Sequence, residues 1–268
     1  MVAHAAALAG WDFRIYSRKQ KSPLYGAQYL HAAIPGLDTG TPQTVRYRLE
    51  GTPEQYRQKV YGESWDGTVS PEDFMNEHSA WDLRRAYNQL WQQYSGEIND
   101  CEIGRGAINP SNFLWQHAER ADLVISTVPR KIWAEPGDEF LSTKVWALGD
   151  TEMPRVAQPF RPEPFTVQCD GRPHVEWYRC SNIYGHCTIE WPYTGEHDEL
   201  RGDGVVVAIH DRPPHPGASL VEKPLRHNST AASDFVHIGR YGKWEKGMLT
   251  SDAFFDAMKA LAEDKIDA

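Results

Sequence analysis

The sequence predicts an α/β protein built on one doubly wound sheet that carries a second, β-rich layer. Three observations lead there. An alanine-rich helix runs directly into a short alternating strand at the start of the chain, and an almost fully apolar strand lies near its middle. A strand followed by a helix closes it, and between these pieces stand a helical insert and a proline-dense, β-rich insert.

Each element has its own local reason. Residues 2–9 are alanine-rich, and Gly10 sits where a helix C-cap belongs. Phe13 and Ile15 alternate with Arg14 and Tyr16, a short strand that ends at Ser17-Arg18-Lys19. Residues 20–70 are rich in Gly, Pro and Tyr and read as mostly irregular. Ser70-Pro71-Glu72-Asp73 has the chemistry of a helix start, with a Ser N-cap, Pro in the first turn and acids at the positive end. Leu83, Tyr87, Leu90 and Tyr94 follow at helical spacing, so one helix is expected over 71–95. Residues 121–129 read as a strand buried on both faces of a parallel sheet. From 140 to 232 short β-rich runs appear, at 175–178, 187–191 and 205–209. A strand at 235–238 and a helix over roughly 250–263, with Phe254, Met258 and Leu261 on one face, complete the pattern.

Composition narrows the function classes. A net charge of -9 gives no overall attraction for nucleic acid or an anionic membrane. No apolar run approaches the roughly 20 residues that cross a bilayer, and the first residues lack the pattern of a secretory signal. Four cysteines in 268 residues do not read as a disulfide scaffold, so a cytoplasmic protein with reduced thiols is expected. Ten Trp, 12 Tyr and 9 Phe exceed what a core of this size needs, which points to an aromatic cleft or interface.

Four ordered segments carry a family resemblance. Ala6-Ala7-Leu8-Ala9-Gly10-Trp11-Asp12-Phe13-Arg14-Ile15-Tyr16 resembles the end of the first helix and the second strand of FAD-dependent oxidoreductases of the amine-oxidase and UDP-galactopyranose-mutase type. Tyr25-Gly26-Ala27-Gln28 is similar to a small-residue turn against the flavin, and Ala121–Pro129 to the strand that leads out of the cofactor domain. Residues 235–242, Phe-Val-His-Ile-Gly-Arg-Tyr-Gly, resemble the closing strand with its glycine beside the flavin. The resemblance covers about half of the chain and implies a truncated Rossmann-like FAD/NAD(P)-binding domain. On that template residues 1–139 are the dinucleotide-binding domain with a helical insert, 140–232 a β-rich substrate layer over the strand ends, and 233–268 a return to the first domain. Residues 13–16, 122–128 and 235–238 would then be neighbouring, mostly parallel strands, with the 2–9 helix on one face.

The chain departs from the family at two places. The family opens with a strand and a G-x-G-x-x-G turn, whereas Met1 falls about midway through the helix that follows that turn. Either the start has been placed too late or the protein is truncated, and the chain as written is expected to bind FAD weakly or not at all. An extension by about 15–20 upstream residues, enough for one strand and its turn, is expected to restore binding. At the end of the second strand the family places an acid on the ribose, but Ser17, Arg18 and Lys19 stand here. That cluster suits a 2′-phosphate, as in NADP, or is a solvated basic turn.

The resemblance implies a cofactor site at Ser17, Arg18, Lys19, Gly26, Ala27, Gln28, Val128, Pro129, Gly239 and Arg240, and a substrate site at Tyr178, Arg179 and Trp191. Arg179 has the chemistry to grip an anionic small molecule. His31 and His237 lie near the supposed flavin turns, as general acids or as packing residues. No catalytic residue is assigned. Cys169, His174, Cys180, His186 and Cys187 crowd into 19 residues without a C-x-x-C pair, so no metal site is expected. The implied function is FAD-dependent, flavin-based redox chemistry on a small molecule. The alternatives are a cofactor-free truncated remnant that acts as a binding protein, favoured by the missing Gly-rich turn, and an NADP-dependent reductase.

Overall fold

In the computed structural model, which describes residues 1–21, 24–62, 65–101, 121–134, 137–149, 162–193, 212–228 and 236–267, the dominant element is a mixed sheet of seven strands. One of its strands comes from residues 20–70, the segment whose composition reads as irregular. Val45, Tyr47 and Leu49 alternate with Arg46, Arg48 and Glu50, and this stretch is β2 (Gln43–Glu50). Thr52 caps α2 (Pro53–Tyr61) through a reciprocal pair with Gln55, and Pro53 occupies the first turn. The composition of residues 20–70 hid a period-two strand and a capping box.

The expected helix over 71–95 is divided. Ser70 does cap a helical start, but only a 3₁₀ turn at Pro71–Phe74 follows. The chain then extends as β3 (Glu77–Ala80), which pairs antiparallel with β2. Asp82 restarts the helix by accepting from the backbone N–H groups of Arg84 and Arg85, giving α3 (Leu83–Tyr94). The strand partner outcompetes the local helical propensity.

The remaining sheet strands are β6 (Glu139–Leu148), β7 (Thr166–Asp170), β8 (Arg179–Ile183), β9 (His186–Pro192) and β10 (Ser219–Asn228). The spatial order is β10-β6-β9-β8-β7-β2-β3, parallel only between β2 and β7. The 140–232 segment is therefore β-rich where described, and the sheet also recruits β2 and β3 from before residue 139. Cys187–Trp191 lies within β9, residues 175–178 precede β8 as irregular chain, and 205–209 fall outside the described residues. Pro224 lies in β10, an end strand of the sheet, where a missing N–H is tolerated.

The short strands form two parallel pairs: β1 (Ile15–Ser17) with β4 (Ile98–Asp100), and β5 (Ile125–Ser126) with β11 (Val236–His237). The expected parallel neighbour relation holds for β5 and β11. It does not hold for 13–16, since β1 pairs with β4 and not with β5 among the described residues. Residues 121–129 also shorten to two strand residues, of which Ser126 alone is buried. A strand with one neighbour has a bare edge, so the apolar run is only half-covered. What the architecture establishes is a mixed α/β fold with a large mixed sheet.

Helices α1 (Val2–Leu8), α3 and α5 (Thr250–Asp267) enclose the first core, where Ala5, Leu30, Leu83, Ala86, Phe254 and Leu261 pack together. Ile125 of β5 and Val236 of β11 pack against the same cluster, as does Phe13 just before β1. Gly10 ends α1 in the left-handed region at φ 73°, as its sequence position predicts. No helix among the described residues is long and apolar enough to cross a membrane.

The short helix α4 (Gly239–Lys243) lies directly on β5: a Cβ on Gly242 would stand 2.8 Å from the Ser126 carbonyl oxygen. Gly242→Ala is therefore expected to lower stability by about 1–3 kcal/mol, as overpacking does. Gly96→Ala, with no atom within 4 Å of the new methyl, is expected to change it little. Urea unfolding of both variants checks the contrast.

Candidate functional site

The β8–β9 hairpin sets the register of the site. Tyr184 and Gly185 form its two-residue turn at φ 53° and 78°, and the ladder then pairs Ser181 with Thr188 and Arg179 with Glu190. Across the sheet Leu49, Cys169, Arg179, Glu190 and Ala147 stand in one row. Lys223 reaches the same carboxylate from β10. Glu190 thus takes the Arg179 guanidinium on one oxygen and the Lys223 ammonium on the other. Lys223 Nζ also donates to the Tyr178 hydroxyl at 2.9 Å. The Glu190 side chain is 2 % exposed, against 25 % for Arg179 and 13 % for Lys223, so the acid is sealed while both cations retain access.

The 25–29 segment crosses this face of the sheet. The Tyr25 hydroxyl meets Ser219 Oγ at 3.0 Å, and the Tyr29 hydroxyl meets that of Tyr47 at 3.2 Å. Between them Gly26, at φ 76°, lies so close that a Cβ would stand 3.2 Å from Glu190 Oε1 and 3.3 Å from Arg179 Nη2. Glycine lets the turn come this close, and Arg179 donates its Nε to Glu190. Gln28 ties the turn by donating to the Tyr25 carbonyl at 2.6 Å. Tyr56 of α2 meets the Tyr178 ring at 5.9 Å. From α4, Arg240 Nη2 donates to the Pro224 carbonyl at 3.2 Å and the Tyr241 hydroxyl to the Glu222 carbonyl at 2.9 Å, bracketing Lys223.

The electrostatics follow from burial and this sharing. Burial pushes Glu190 toward protonation, but Arg179 and Lys223 outweigh it and hold the carboxyl at about 2. Burial and then Arg179 bring Lys223 down to about 7, against the pull of Glu190. Burial, with Glu190 adding to it, raises the Tyr178 hydroxyl far above its ordinary range, so it remains a neutral donor. Two cations facing one saturated carboxylate leave a site that favours an anionic ligand.

Several residues implied by the resemblance meet here: Gly26, Ala27, Gln28, Tyr178, Arg179 and Arg240. Gly239, at φ 75°, begins the helix that carries Arg240. Trp191 does not join them. It follows Glu190 in β9, so its side chain takes the opposite face, packed with Leu148 and Ile189 and paired with Trp146. Ser17, Arg18 and Lys19 are exposed at the end of β1, where the Lys19 N–H donates to Asp100 Oδ1 at 2.9 Å. Val128 and Pro129 follow β5 and lead into a 3₁₀ turn at Arg130–Trp133.

Cys169 packs on the Arg179 face, and Cys180 and Cys187 on the other. Among the described residues no group of three or more His, Cys, Asp or Glu side chains could hold a metal ion. Burial raises the Cys169 and Cys180 thiols to about 12, which leaves them unreactive near neutrality. The His31 ring meets those of Tyr29, tilted, and His78, edge-on, at 4.4 and 5.6 Å, and burial lowers its pKa. Burial, then Arg130 and His227, bring His237 down to about 4.

Sequence reasoning missed Lys223 and the roles of Tyr29, Tyr47 and Tyr56. The heavy tyrosine count was the available signal for the latter. Comparison of the chain with protein-family models, curated proteins and solved structures finds no match in any of the three.

Replacing Glu190 by Gln leaves two cations without their carboxylate, and the expected cost is ~3–5 kcal/mol, read as a lower urea midpoint. The folded carboxyl titrates at about 2 against an ordinary 4.5. Its contribution is thus present above 4.5 and fades as pH falls toward 2. Acid titration of stability should show that fade in the wild type, with a shallower fall in Glu190→Gln.

Proposed function

We propose that this protein is an FAD-dependent oxidoreductase-like enzyme acting on a small anionic molecule held by Arg179 and Lys223. The observation that carries the reading is the meeting of Gly26, Tyr178, Arg179 and Arg240, drawn from three distant parts of the sequence, around one cationic face. The family resemblance supplies the flavin.

The residues present fit such a group at this face. Gly26 puts side-chain-free backbone beside the Arg179 guanidinium, and Arg240 Nε is buried with no hydrogen-bond partner among the described residues. Arg240, Gly239 and the Gly26–Gln28 turn are the residues that would hold it. A bound flavin would supply electron-pair acceptance, which is the chemistry the cofactor brings. The chain does the rest. Arg179 orients the anion through its planar edge, and Lys223 adds a charge that is present below about pH 7 and fades above it. The buried Tyr56 and Tyr178 keep water from the face, and Lys223 Nζ holds a proton that is exchangeable near neutrality. The NADP reading has less support, because the Asp100 carboxylate at the end of β4 accepts from the Lys19 N–H beside Arg18.

Titration of FAD into the 268-residue chain, followed by quenching of flavin fluorescence, is expected to saturate with weak affinity. Arg240→Met should weaken it about tenfold or more, the size of a lost charge-assisted contact. Absence of FAD binding, with NADPH bound instead, would move the reading to a reductase. Absence of both would leave a cofactor-free binding protein.

A further inference from the structure

The chain around α4 closes one edge of the large sheet. β10 ends the sheet and pairs only with β6 among the described residues. An end strand presents backbone groups that no ladder takes up. Three carbonyls of β10 are met from one segment. The Tyr241 hydroxyl donates to Glu222 at 2.9 Å, Arg240 Nη2 to Pro224 at 3.2 Å, and the Lys246 N–H to Leu225 at 3.1 Å. The chain reaches the last of these by turning at Trp244, which ends α4 in the left-handed region at φ 56°. A residue with a Cβ seldom adopts that conformation. Trp244 is fixed there by burial and by the bond from its indole N–H to the Leu141 carbonyl at 3.0 Å.

The Lys246 side chain ends at two aromatic rings. Its Nζ lies 4.1 Å from the Trp65 ring centroid and 4.5 Å from that of Tyr61, inside the range of a cation–π contact. The two rings are 4.3 Å apart and inclined at 47°, so they form a wedge rather than a flat stack. Both walls are anchored. Tyr61 is the last residue of α2, and the Thr143 hydroxyl of β6 donates to the neighbouring Val60 carbonyl at 2.8 Å. Trp65 is buried, and Arg57 Nη1 donates to its carbonyl at 2.7 Å. Gly67 lies so close to the indole that a Cβ would stand 2.2 Å from it, and Asp66 pairs with Arg226 of β10 at 3.1 Å. Burial in this setting lowers the Lys246 pKa, with Asp73 pulling the other way.

A lysine on a solvated loop keeps its side chain mobile, because ordering it costs rotamer entropy. Here the ammonium has exchanged part of its hydration for two π faces, while the N–H of the same residue is given to β10. Lys246 thereby joins the α4 segment, the end strand and the end of α2. We propose that residues 239–246 are a strap over the open edge of β10, latched by Lys246 in the Tyr61–Trp65 wedge, and that Lys246 is a positioning residue for Arg240. The other anchors of α4 reach different elements: Lys243 pairs with Asp256 of α5 at 2.6 Å, and Gly242 rests on the Ser126 carbonyl of β5. On the β10 side Tyr241 is 38 % exposed, so water competes for the strap's bonds once the latch is released. The latch stands without the flavin reading, and its consequence for ligand binding rests on that reading, in which Arg240 helps to hold the cofactor.

Hydrogen exchange of the full chain, followed by NMR, reads the strap directly. Lys246→Met keeps the stem and removes the charge. It is expected to speed exchange at the 245 and 246 amides and at the Arg240 Nη protons about three- to thirtyfold, the span of one cation–π contact, with the Ile189 amide of β9 unchanged. Lys246→Arg, which keeps a cation for the rings, should restore slow exchange, and Tyr61→Leu should speed it as Lys246→Met does. In the wild type the rings should shift the Lys246 ε-methylene protons upfield. Unshifted ε protons, or equal exchange in Lys246→Met and wild type, would overturn the latch. Equal acceleration at Ile189 would do the same, by making Lys246 a general stability contact. An unchanged rate at the Arg240 Nη protons alone would remove the positioning role. Titration with FAD separates this from the flavin reading. If FAD binds and Arg240→Met weakens it, Lys246→Met should also weaken it, and adding Lys246→Met to Arg240→Met should cost nothing further. Unaltered FAD affinity in Lys246→Met would overturn the positioning role. If FAD binds no variant, the flavin reading fails alone, and the exchange rates still decide both the latch and its hold on Arg240.

Discussion

Glu190 is the interaction on which the central face of the sheet depends. Its carboxylate is buried, so it would be costly alone, and each of its oxygens is taken by a different strand. Arg179 comes from the adjacent β8, but Lys223 must reach across β6 from β10. Lys223 pairs with Thr143 and Glu190 with Ala147 on that intervening strand, so the ammonium reaches the carboxylate diagonally. A buried ion pair of this kind contributes little to net stability compared with apolar packing. Its effect is to fix the relative register of the strands it links, because a one-residue slip would carry Arg179 or Lys223 to the other face. The result is a cationic surface whose acid is already occupied.

That surface is built from the sheet, but what lies over it comes from elsewhere in the chain, and glycine allows both contacts. Gly26 brings the 25–29 turn down onto Arg179 and Glu190, and Gly242 brings α4 down onto the β5 backbone. Tyrosine hydroxyls then fasten the turn at its two ends, on Ser219 and on Tyr47. Lys59 fastens α2 in the same way, donating to the carbonyls of Asp170, Arg172 and Trp177 at 3.1, 3.1 and 2.6 Å. The polar ties are each modest, and their number holds the layer in one arrangement.

How much of this could be read from the chain depends on the range of the determining interaction. Gly10 as a helix stop, Ser70 as a cap and the parallel pairing of 125–126 with 236–237 are legible, the first two because they rest on neighbours in sequence. The 71–95 helix is not, since β3 exists only because β2 lies beside it. Strand β1 finds β4 rather than β5, a choice made by tertiary contacts that its three residues do not encode. At the site, Arg179 is legible as an anion-gripping side chain and Gly26 as a close-approach turn, but Lys223 looks like a surface lysine of an alternating strand. Trp191 shows the opposite case. The resemblance places it in the substrate site, yet strand parity with Glu190 commits it to the other face.

The bulge in β10 makes one strand serve two polar centres. Lys223 lies within 4 Å of Glu190 on one face, and His227 lies beside Phe140 and Asp138 on the other. Pro224 marks the place where this happens. It has no N–H to give to a ladder, so it sits at low cost on an end strand and at a register shift. Without the extra residue, the imidazole would follow Lys223 onto the Arg179 face and add a further group able to carry positive charge beside two cations already in contact with one acid. The shift instead places it against Phe140 and beside the Asp138 carboxylate. The bulge thus keeps the two groups on opposite sides of the sheet, each beside its own carboxylate, Glu190 for Lys223 and Asp138 for His227.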